Sequence, residues 1–296
     1  MKVRTVVSLL KSAIQAWQRD DASRLAAALA YYTTFSLAPV LVIVIAIAGA
    51  VFGQEAVQGE LVNQLRGLLG QQGADVIQTL LSSTQTSSAD GFWPTLISVG
   101  LLIFGATNVF SQLQTSLNLI WNVTPPKQGP VQFVRTRLLS FAMVAVIGFL
   151  LLVSLMLSAG LAALGNVFSE AQTWAPLWQG LNAILSFGVV TLLFGLIYKV
   201  LPDVKITWPD VGVGAAITAL LFTIGKVLIG LYLGNSSVGS AYGAAGSLAV
   251  ILIWVYYSAQ ILFFGAEFTQ VYANRYGSKI VASSAPSNNY GTPERR

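Results

Sequence analysis

The sequence predicts an all-α fold, a polytopic membrane helical bundle with about six transmembrane helices. An N-terminal amphipathic interfacial helix and short extracytoplasmic amphipathic helices complete this architecture. Three observations predict it. Hydrophobic residues make up 55% of the chain and charged residues only 9%, whereas soluble domains carry about 25% charged residues. Apolar runs longer than about 18 residues recur without charge, and basic residues collect in the turns on one side of these runs.

The first 24 residues predict an amphipathic helix with a basic face. Its apolar residues recur at spacings of three and four residues, at Val3, Val6, Val7, Leu10, Ile14 and Trp17. Two placements are open for this helix. It could lie on an anionic membrane surface, or it could pack under the bundle.

Six apolar runs are predicted to be spans, at about 26–53, 93–120, 138–166, 177–199, 211–233 and 243–272. They form a single membrane domain over residues 1–280, and residues 281–296 are predicted to be a disordered cytoplasmic tail. Pro39 lies inside the first span and predicts a kink there, because proline removes a backbone hydrogen bond. In the polar connection 54–91, two apolar stripes predict the short amphipathic helices, at Val57, Leu61, Leu65 and Leu68 and at Val76, Ile77, Leu80 and Leu81.

The distribution of basic residues predicts the orientation. Six spans place both termini on one side, and that side receives nearly all Lys and Arg residues of the loops and termini, while Arg66 lies on the other side. This bias predicts that the N- and C-termini are cytoplasmic. The net charge of +5 is explained by the same bias, so no nucleic-acid partner is expected; membrane lipids are the expected surroundings.

Several kinds of site are excluded by residues that the chain lacks. It contains no cysteine and no histidine, which removes thiolate chemistry, the commonest general base and the commonest nitrogen ligand of metals. No cofactor, catalytic residue or metal site is predicted. Asp203 and Asp210 share one cytoplasmic loop and could bind Mg²⁺, but a turn residue and a helix N-terminal charge explain them more simply.

Polar residues within the predicted spans are the candidates for a transport path. The second span presents three of them on one helical face, and the last span presents three more on what could be one inward-facing stripe. Lys226 lies in the outer half of the fifth span, where it could contact an anionic group or extend to the interface. The candidates are Asn108, Gln112, Thr115, Lys226, Tyr256, Gln260 and Glu267. For each, joining helices is the alternative role.

Four segments resemble one known family. They are AAALAYYTTFSLAPVLVIV (26–44), LLIFGATNVFSQLQTSLNLIW (101–121), YKVLPDVKITWPD (198–210) and YGAAGSLAVILIWVYYSAQILFFGAEFTQVYANRYG (242–277). In this order they are similar to the YihY/virulence factor BrkB family. The resemblance implies a bacterial inner-membrane (plasma-membrane) protein with about six spans, and it is compatible with export of lipid-like molecules.

An older label of that family, ribonuclease BN, implies a nuclease, and the residues disfavour this activity. Nucleases need general acid–base groups or a metal site, and the chain offers dispersed carboxylates instead. The first functional hypothesis is therefore transport or export of an amphiphilic, lipid-like or anionic substrate. A structural or scaffolding membrane protein is the alternative, and an enzyme is not expected.

Overall fold

The computed structural model describes residues 3–59, 61–63, 66, 74, 77–79, 81–82, 92–123, 142, 175–235, 246–277 and 281–282. The helices there are α1 (Val3–Arg19), α2 (Ala22–Phe52), α3 (Phe92–Ile120), α4 (Ala175–Val200), α5 (Trp208–Asn235) and α6 (Gly246–Tyr276). The strands are β1 (Val204–Lys205) and β2 (Val281–Ala282). Apart from residue 142, the predicted third span at 138–166 lies outside the described residues.

Three of these helices are long and apolar enough to cross a membrane, over Gly180–Val200, Trp208–Tyr232 and Leu248–Tyr276. A fourth crossing is formed if the two halves of α2 are one span, Ala22–Leu37 and Pro39–Ala46, which meet at 54°. The bend lies where Pro39 predicts it, because its ring and its missing N–H break the helical ladder. The predicted helical membrane bundle is confirmed.

Helix α6 is the centre of the packing and contacts α1, α2, α3 and α5. Helix α2 also packs along α3, and α4 packs along α5. The core between them contains fully buried side chains such as Leu117, Tyr198 and Phe263. Large apolar residues elsewhere on α4 and α5 are exposed, as expected of surfaces that face lipid.

A seam of small residues joins α5 to α6. Gly214 and Thr218 of α5 face Thr269 and Gly265 of α6, so each glycine receives the threonine of the other helix. A Cβ atom on either glycine would overlap that threonine. Each threonine hydroxyl donates to the carbonyl of the glycine four residues earlier, at 2.8 Å from Thr218 and 2.7 Å from Thr269. Small residues of this kind let two helix backbones approach closely within a membrane.

Helix α1 packs on the last third of α6, and it also keeps an apolar outer surface. Leu9 and Ala13 are buried against Phe268, and Arg275 Nη1 donates to Ser8 Oγ at 3.2 Å. The outer surface consists of Val6, Val7, Leu10 and Ile14, which are all exposed. The two placements predicted for this helix are therefore compatible: one face packs on the bundle, and another is available to the membrane.

The described part of the connection 54–82 is helical and packs on the bundle end opposite to the end of α6. Its buried residues Val57, Ile77 and Leu81 contact a cluster that includes Leu41 and Ile251. These residues belong to the two apolar stripes of the sequence. The other stripe positions are partly buried, as Leu61 is, or lie outside the described residues.

The C-terminal segment folds back onto the loop between α4 and α5. Strands β1 and β2 pair antiparallel, with Val204 opposite Ala282 and Lys205 opposite Val281. The predicted disordered tail thus begins with two residues in a strand, because backbone pairing with β1 holds them. Residues 283–296 lie outside the described residues.

Candidate functional site

A groove of about 430 Å³ lies between α1, α5 and α6. Its wall is almost entirely apolar, and it is open at a rim that includes the exposed side chains of Ile224 and Leu228. Three helices contribute side chains to it, with Ile14 and Trp17 from α1, Leu221, Ile224 and Leu228 from α5, and Tyr257, Gln260, Ile261 and Phe264 from α6.

Gly225 forms part of the groove wall because it has no side chain. A Cβ atom there would lie 2.6 Å from Ile261 Cδ1 and 3.0 Å from Tyr257 Cε1. The close approach of α5 and α6 at this glycine brings their apolar side chains together on one side of the groove. Helix α1 supplies the other side.

Gln260 carries the one side-chain amide among the residues that line the groove. Its Oε1 atom is buried, and no donor for it is found among the described residues. Leaving such an acceptor unpaired costs about 1–3 kcal/mol, and buried polar atoms in native proteins are nearly always paired.

A pair of carboxyl groups lies next along the same two helices. Glu267 follows the groove residue Phe264 by three positions on α6, and it is 0% exposed. Its charged neighbours are Arg19, the last residue of α1, and Asp20, which lies in the turn that follows. Both Glu267 oxygens lack a hydrogen-bond partner within the described parts of the chain.

Arg19 and Asp20 form an ion pair beside Glu267. Arg19 Nε donates to Asp20 Oδ1 at 2.8 Å, and Nη2 donates to Oδ2 at 3.3 Å. The Asp20 side chain is 9% exposed, and that of Arg19 is 64% exposed. This hydrogen bond and the charge of Asp20 raise the pKa of Arg19 above its ordinary value, so the guanidinium group is always a cation.

Polar groups at the end of the bundle where α3 and α6 end join the helices. Asn118 Nδ2 donates to Asp203 Oδ2 at 3.0 Å, and Asn118 Oδ1 accepts from the Asp203 backbone N–H at 2.9 Å. Gln114 also donates to Asp203 Oδ2, at 3.4 Å. Gln270 Nε2 donates to the Ile120 carbonyl at 2.6 Å. Sequence patterns missed these partners, because they lie far apart along the chain.

The two loop aspartates have the simpler of their two predicted roles, those of a turn residue and of a charge at a helix N-terminus, rather than that of metal ligands. Asp203 is held by Asn118, and Asp210 accepts from Thr207 Oγ1 at 2.8 Å in the first turn of α5. Within the described ranges, no group of three or more Asp, Glu, His or Cys side chains is placed to hold a metal ion.

The predicted site residues separate into three groups. The first group is on α6, where Gln260 and Glu267 lie on the side that faces α1. Tyr256, four residues before Gln260 on the same helix, is more exposed. Lys226 is exposed on α5 and does not line the groove. The third group is the α3 face, which also lies outside the groove, with Asn108 and Gln112 half-buried and Thr115 exposed.

On α3, two of the three candidate side chains bond within their own helix. Gln112 Nε2 donates to Ser116 Oγ at 3.3 Å, and Thr115 Oγ1 donates to the Ser111 carbonyl at 2.9 Å. The groove, the carboxyl pair and this face are therefore distinct places, and the first two are neighbours.

Comparison with known proteins identifies the family to which this chain belongs. A UPF0761 membrane protein of Psychrobacter sp. (strain PRwf-1) is 24% identical over 89% of this chain and 48% of its own length, so the chain spans about half of that relative. UPF0761 membrane proteins of Psychromonas ingrahamii and Aeromonas salmonicida are 27% and 28% identical, each over 86% of this chain, and over 84% and 86% of their own lengths.

No solved structure matches the chain. The family model described as Virulence factor BrkB matches residues 13–289, and the apolar helices and the relatives, named as membrane proteins, agree with it. The residues that carry the resemblance in the sequence, including the whole of α6, lie within this match. The chain is therefore a membrane protein that belongs to the virulence factor BrkB family.

Proposed function

We propose that this protein takes an amphiphilic, lipid-like molecule from the bilayer and moves it through the membrane, as a transporter or exporter. The observation that carries the proposal is the apolar groove, which is open at its rim and lined by side chains of three helices. Its volume of about 430 Å³ lies within the range of about 300–1,000 Å³ that is usual for small-molecule sites.

The groove lining favours a hydrocarbon chain over a polar solute. Side chains such as Ile14, Leu228 and Phe264 offer dispersion contacts and no hydrogen bonds. The open rim at Ile224 would let a chain enter sideways from lipid, without first passing through water. A tail that enters in this way leaves its head group near the ends of the groove.

Gln260 narrows the class of amphiphile. Its side-chain amide favours a molecule with a hydroxyl, amide or ammonium group close to the apolar tail, and the covered Oε1 atom would accept from such a group after a rotation of the Gln260 side chain. A purely anionic substrate has less support, because Lys226 lies outside the groove and Arg19 is already paired with Asp20.

A scaffolding role is the alternative, and specific hydrogen bonds favour it. Tyr198 Oη donates to the Leu262 carbonyl at 2.7 Å, and Gln270 donates to the Ile120 carbonyl at 2.6 Å. These contacts fix helices to one another and need no ligand. If the protein moves no amphiphile, the scaffold is the function that remains.

The proposed location is the bacterial inner membrane, with both termini in the cytoplasm. Lys199, Lys205 and Arg275 lie at the bundle end where α6 ends, which supports this orientation. The chain has no cysteine, so single cysteines can be labelled without background. In intact cells with a permeable outer membrane, an impermeant thiol reagent should modify Glu55→Cys and not Lys205→Cys. The reverse pattern would show that the orientation is wrong.

Transfer of a fluorescent amphiphile tests the proposed function. The purified chain is reconstituted into vesicles with a labelled phospholipid, and an impermeant reductant quenches the label that reaches the outer leaflet. We expect faster loss of the protected inner-leaflet signal with the protein than in protein-free vesicles. Equal rates, with correctly folded protein, would favour the scaffold.

A further inference from the structure

We propose that Glu267 and Asp20 form a proton-binding site between the end of α1 and α6, in which the buried Glu267 carboxyl group carries the proton and donates a hydrogen bond to the Asp20 carboxylate. The site lies outside the groove and next to it. It extends the proposed transport function by giving the groove wall a proton-responsive element. The existence of the site is independent of that function, and only its consequence for transfer depends on it.

The first observation that supports the site is the burial of Glu267. Its side chain is 0% exposed, and its oxygens find no donor among the described residues. An ionised carboxylate in such a place loses its hydration and gains no hydrogen bond in return, so the neutral acid is the favoured form. A protonated carboxyl group has an O–H that can donate a hydrogen bond, and it needs an acceptor nearby.

The second step is the identity of that acceptor. Asp20 is the carboxyl group that faces Glu267, and its own side chain is only 9% exposed. Two carboxylates are both acceptors, so a hydrogen bond between them requires a proton on one of them. Two carboxyl groups that share a site also resist double ionisation because like charges repel.

The third step concerns other charges around Glu267. On α2, Arg24 is exposed and pairs with Asp21 at 3.5 Å, and α3 has no charged residue. On α5, Asp210 is held by Thr207, and Lys226 is exposed. Among the described residues, Arg19 is thus the cation that bears on Glu267, and it contacts Asp20.

Arg19 also makes a metal cation a poorer occupant than a proton. It donates to both oxygens of Asp20, which removes much of the capacity of this carboxylate to act as a ligand. Hard cations need about six oxygen ligands, and they would be repelled by the guanidinium group. A proton needs one donor oxygen and one acceptor oxygen, which Glu267 and Asp20 supply.

Loss of the proton would place two negative charges at the contact of α1 with α6. Trp17 and Ile14 of α1 form one wall of the groove, so repulsion at Asp20 acts on that wall. The proton would therefore hold α1 in the position seen here, and its release would loosen one side of the groove.

Infrared difference spectroscopy of the full chain in lipid nanodiscs tests the site directly. The C=O stretch of a protonated carboxylic acid is followed across a pH titration. We expect such a band at neutral pH in the wild type, its loss in Glu267→Gln and a shifted band in Asp20→Asn. The control Glu55→Gln changes an exposed glutamate and should leave the band as it is.

Three results would overturn the proposal. They are the absence of a protonated carboxyl at neutral pH, a band that neither variant alters, and displacement of the band by sodium at constant pH, which would assign the site to a metal cation. If Glu267→Gln fails to fold, Asp20→Asn carries the test, and an unchanged band in it is decisive against a protonated Glu267 that donates to Asp20.

The consequence for transfer has its own readout. In vesicles, the wild-type transfer rate should change severalfold as the site loses its proton, whereas Glu267→Gln, which stays neutral, should show a rate independent of pH. Absence of transfer by the wild type would count against the proposed function and would leave the infrared result standing. A pH-dependent rate that Glu267→Gln retains would count against control of the groove by this site.

Discussion

Replacing Gly265 by alanine is expected to destabilise the bundle by about 1–3 kcal/mol, the usual cost of overpacking a tight contact. The added Cβ would overlap Thr218 and would lie 2.6 Å from the hydroxyl oxygen of Tyr198. Tyr198 is fully buried and donates to the Leu262 carbonyl at 2.7 Å. Relief of the overlap therefore displaces a hydrogen-bonded, buried side chain, and the cost includes that hydrogen bond.

Thermal unfolding of the purified protein measures this cost, with Gly230→Ala as the matched control. Gly230 is also a helical glycine of the bundle, but nothing lies within 4 Å of a Cβ atom placed there. The control should unfold at the wild-type temperature, while Gly265→Ala and Gly214→Ala unfold several degrees lower. Equal midpoints for Gly265→Ala and Gly230→Ala would mean that the seam between α5 and α6 is not closely packed.

The change Asn118→Asp should also cost about 3 kcal/mol, since it breaks a buried polar pair and adds a like charge. Asn118 Nδ2 now donates to Asp203 Oδ2 at 3.0 Å. In the variant, two carboxylates face each other across that distance. The double variant Asn118→Asp with Asp203→Asn restores one donor and one acceptor, and it should recover much of the lost free energy of unfolding.

The matched control is Asn122→Asp at the same end of α3. Asn122 is exposed, and its side chain makes only a long hydrogen bond of 3.5 Å, from Nδ2 to the Ile120 carbonyl. Its positive φ of 54° is a conformation that asparagine and aspartate both tolerate. The midpoint of thermal unfolding should fall in Asn118→Asp and stay unchanged in Asn122→Asp. If both variants behave like the wild type, Asn118 and Asp203 do not hold the loop after α4 in place.

The helices were predictable because their signals are local. An apolar run has the length of a span whatever surrounds it, and Pro39 bends α2 through its own ring and its missing N–H. The apolar stripes that contain Val57 and Ile77 were also readable, because helical spacing places each set on one face.

The partners of the polar residues were not predictable in this way. Asn118 and Asp203 meet only after three helices have packed, and each alone has a simple role as a helix-end residue or a turn residue. The adjacent pair Asp20 and Asp21 marks the turn between α1 and α2, and nothing local indicates that Asp20 faces Glu267. Such contacts depend on tertiary packing and have no sequence period.

The polar residues in the sequence of α6 predicted part of the candidate site. Gln260 and Glu267 were singled out because lipid does not favour them, and they share the side that faces α1. The same reasoning selected Lys226, which lies exposed on α5 instead. A long side chain with a terminal charge can extend to the membrane interface, so its presence in an apolar run does not locate a cavity.

The most direct measurement of the central claim, that an amphiphile moves along the groove, compares transfer rates of two tryptophan variants. Ile224 and Val227 lie one turn apart on α5 and are 52% and 55% exposed, but only Ile224 lines the groove. Ile224→Trp should fill the groove and lower the transfer rate to that of protein-free vesicles, while Val227→Trp keeps the wild-type rate. Equal rates for the two variants, whether both fast or both slow, would contradict a path through the groove.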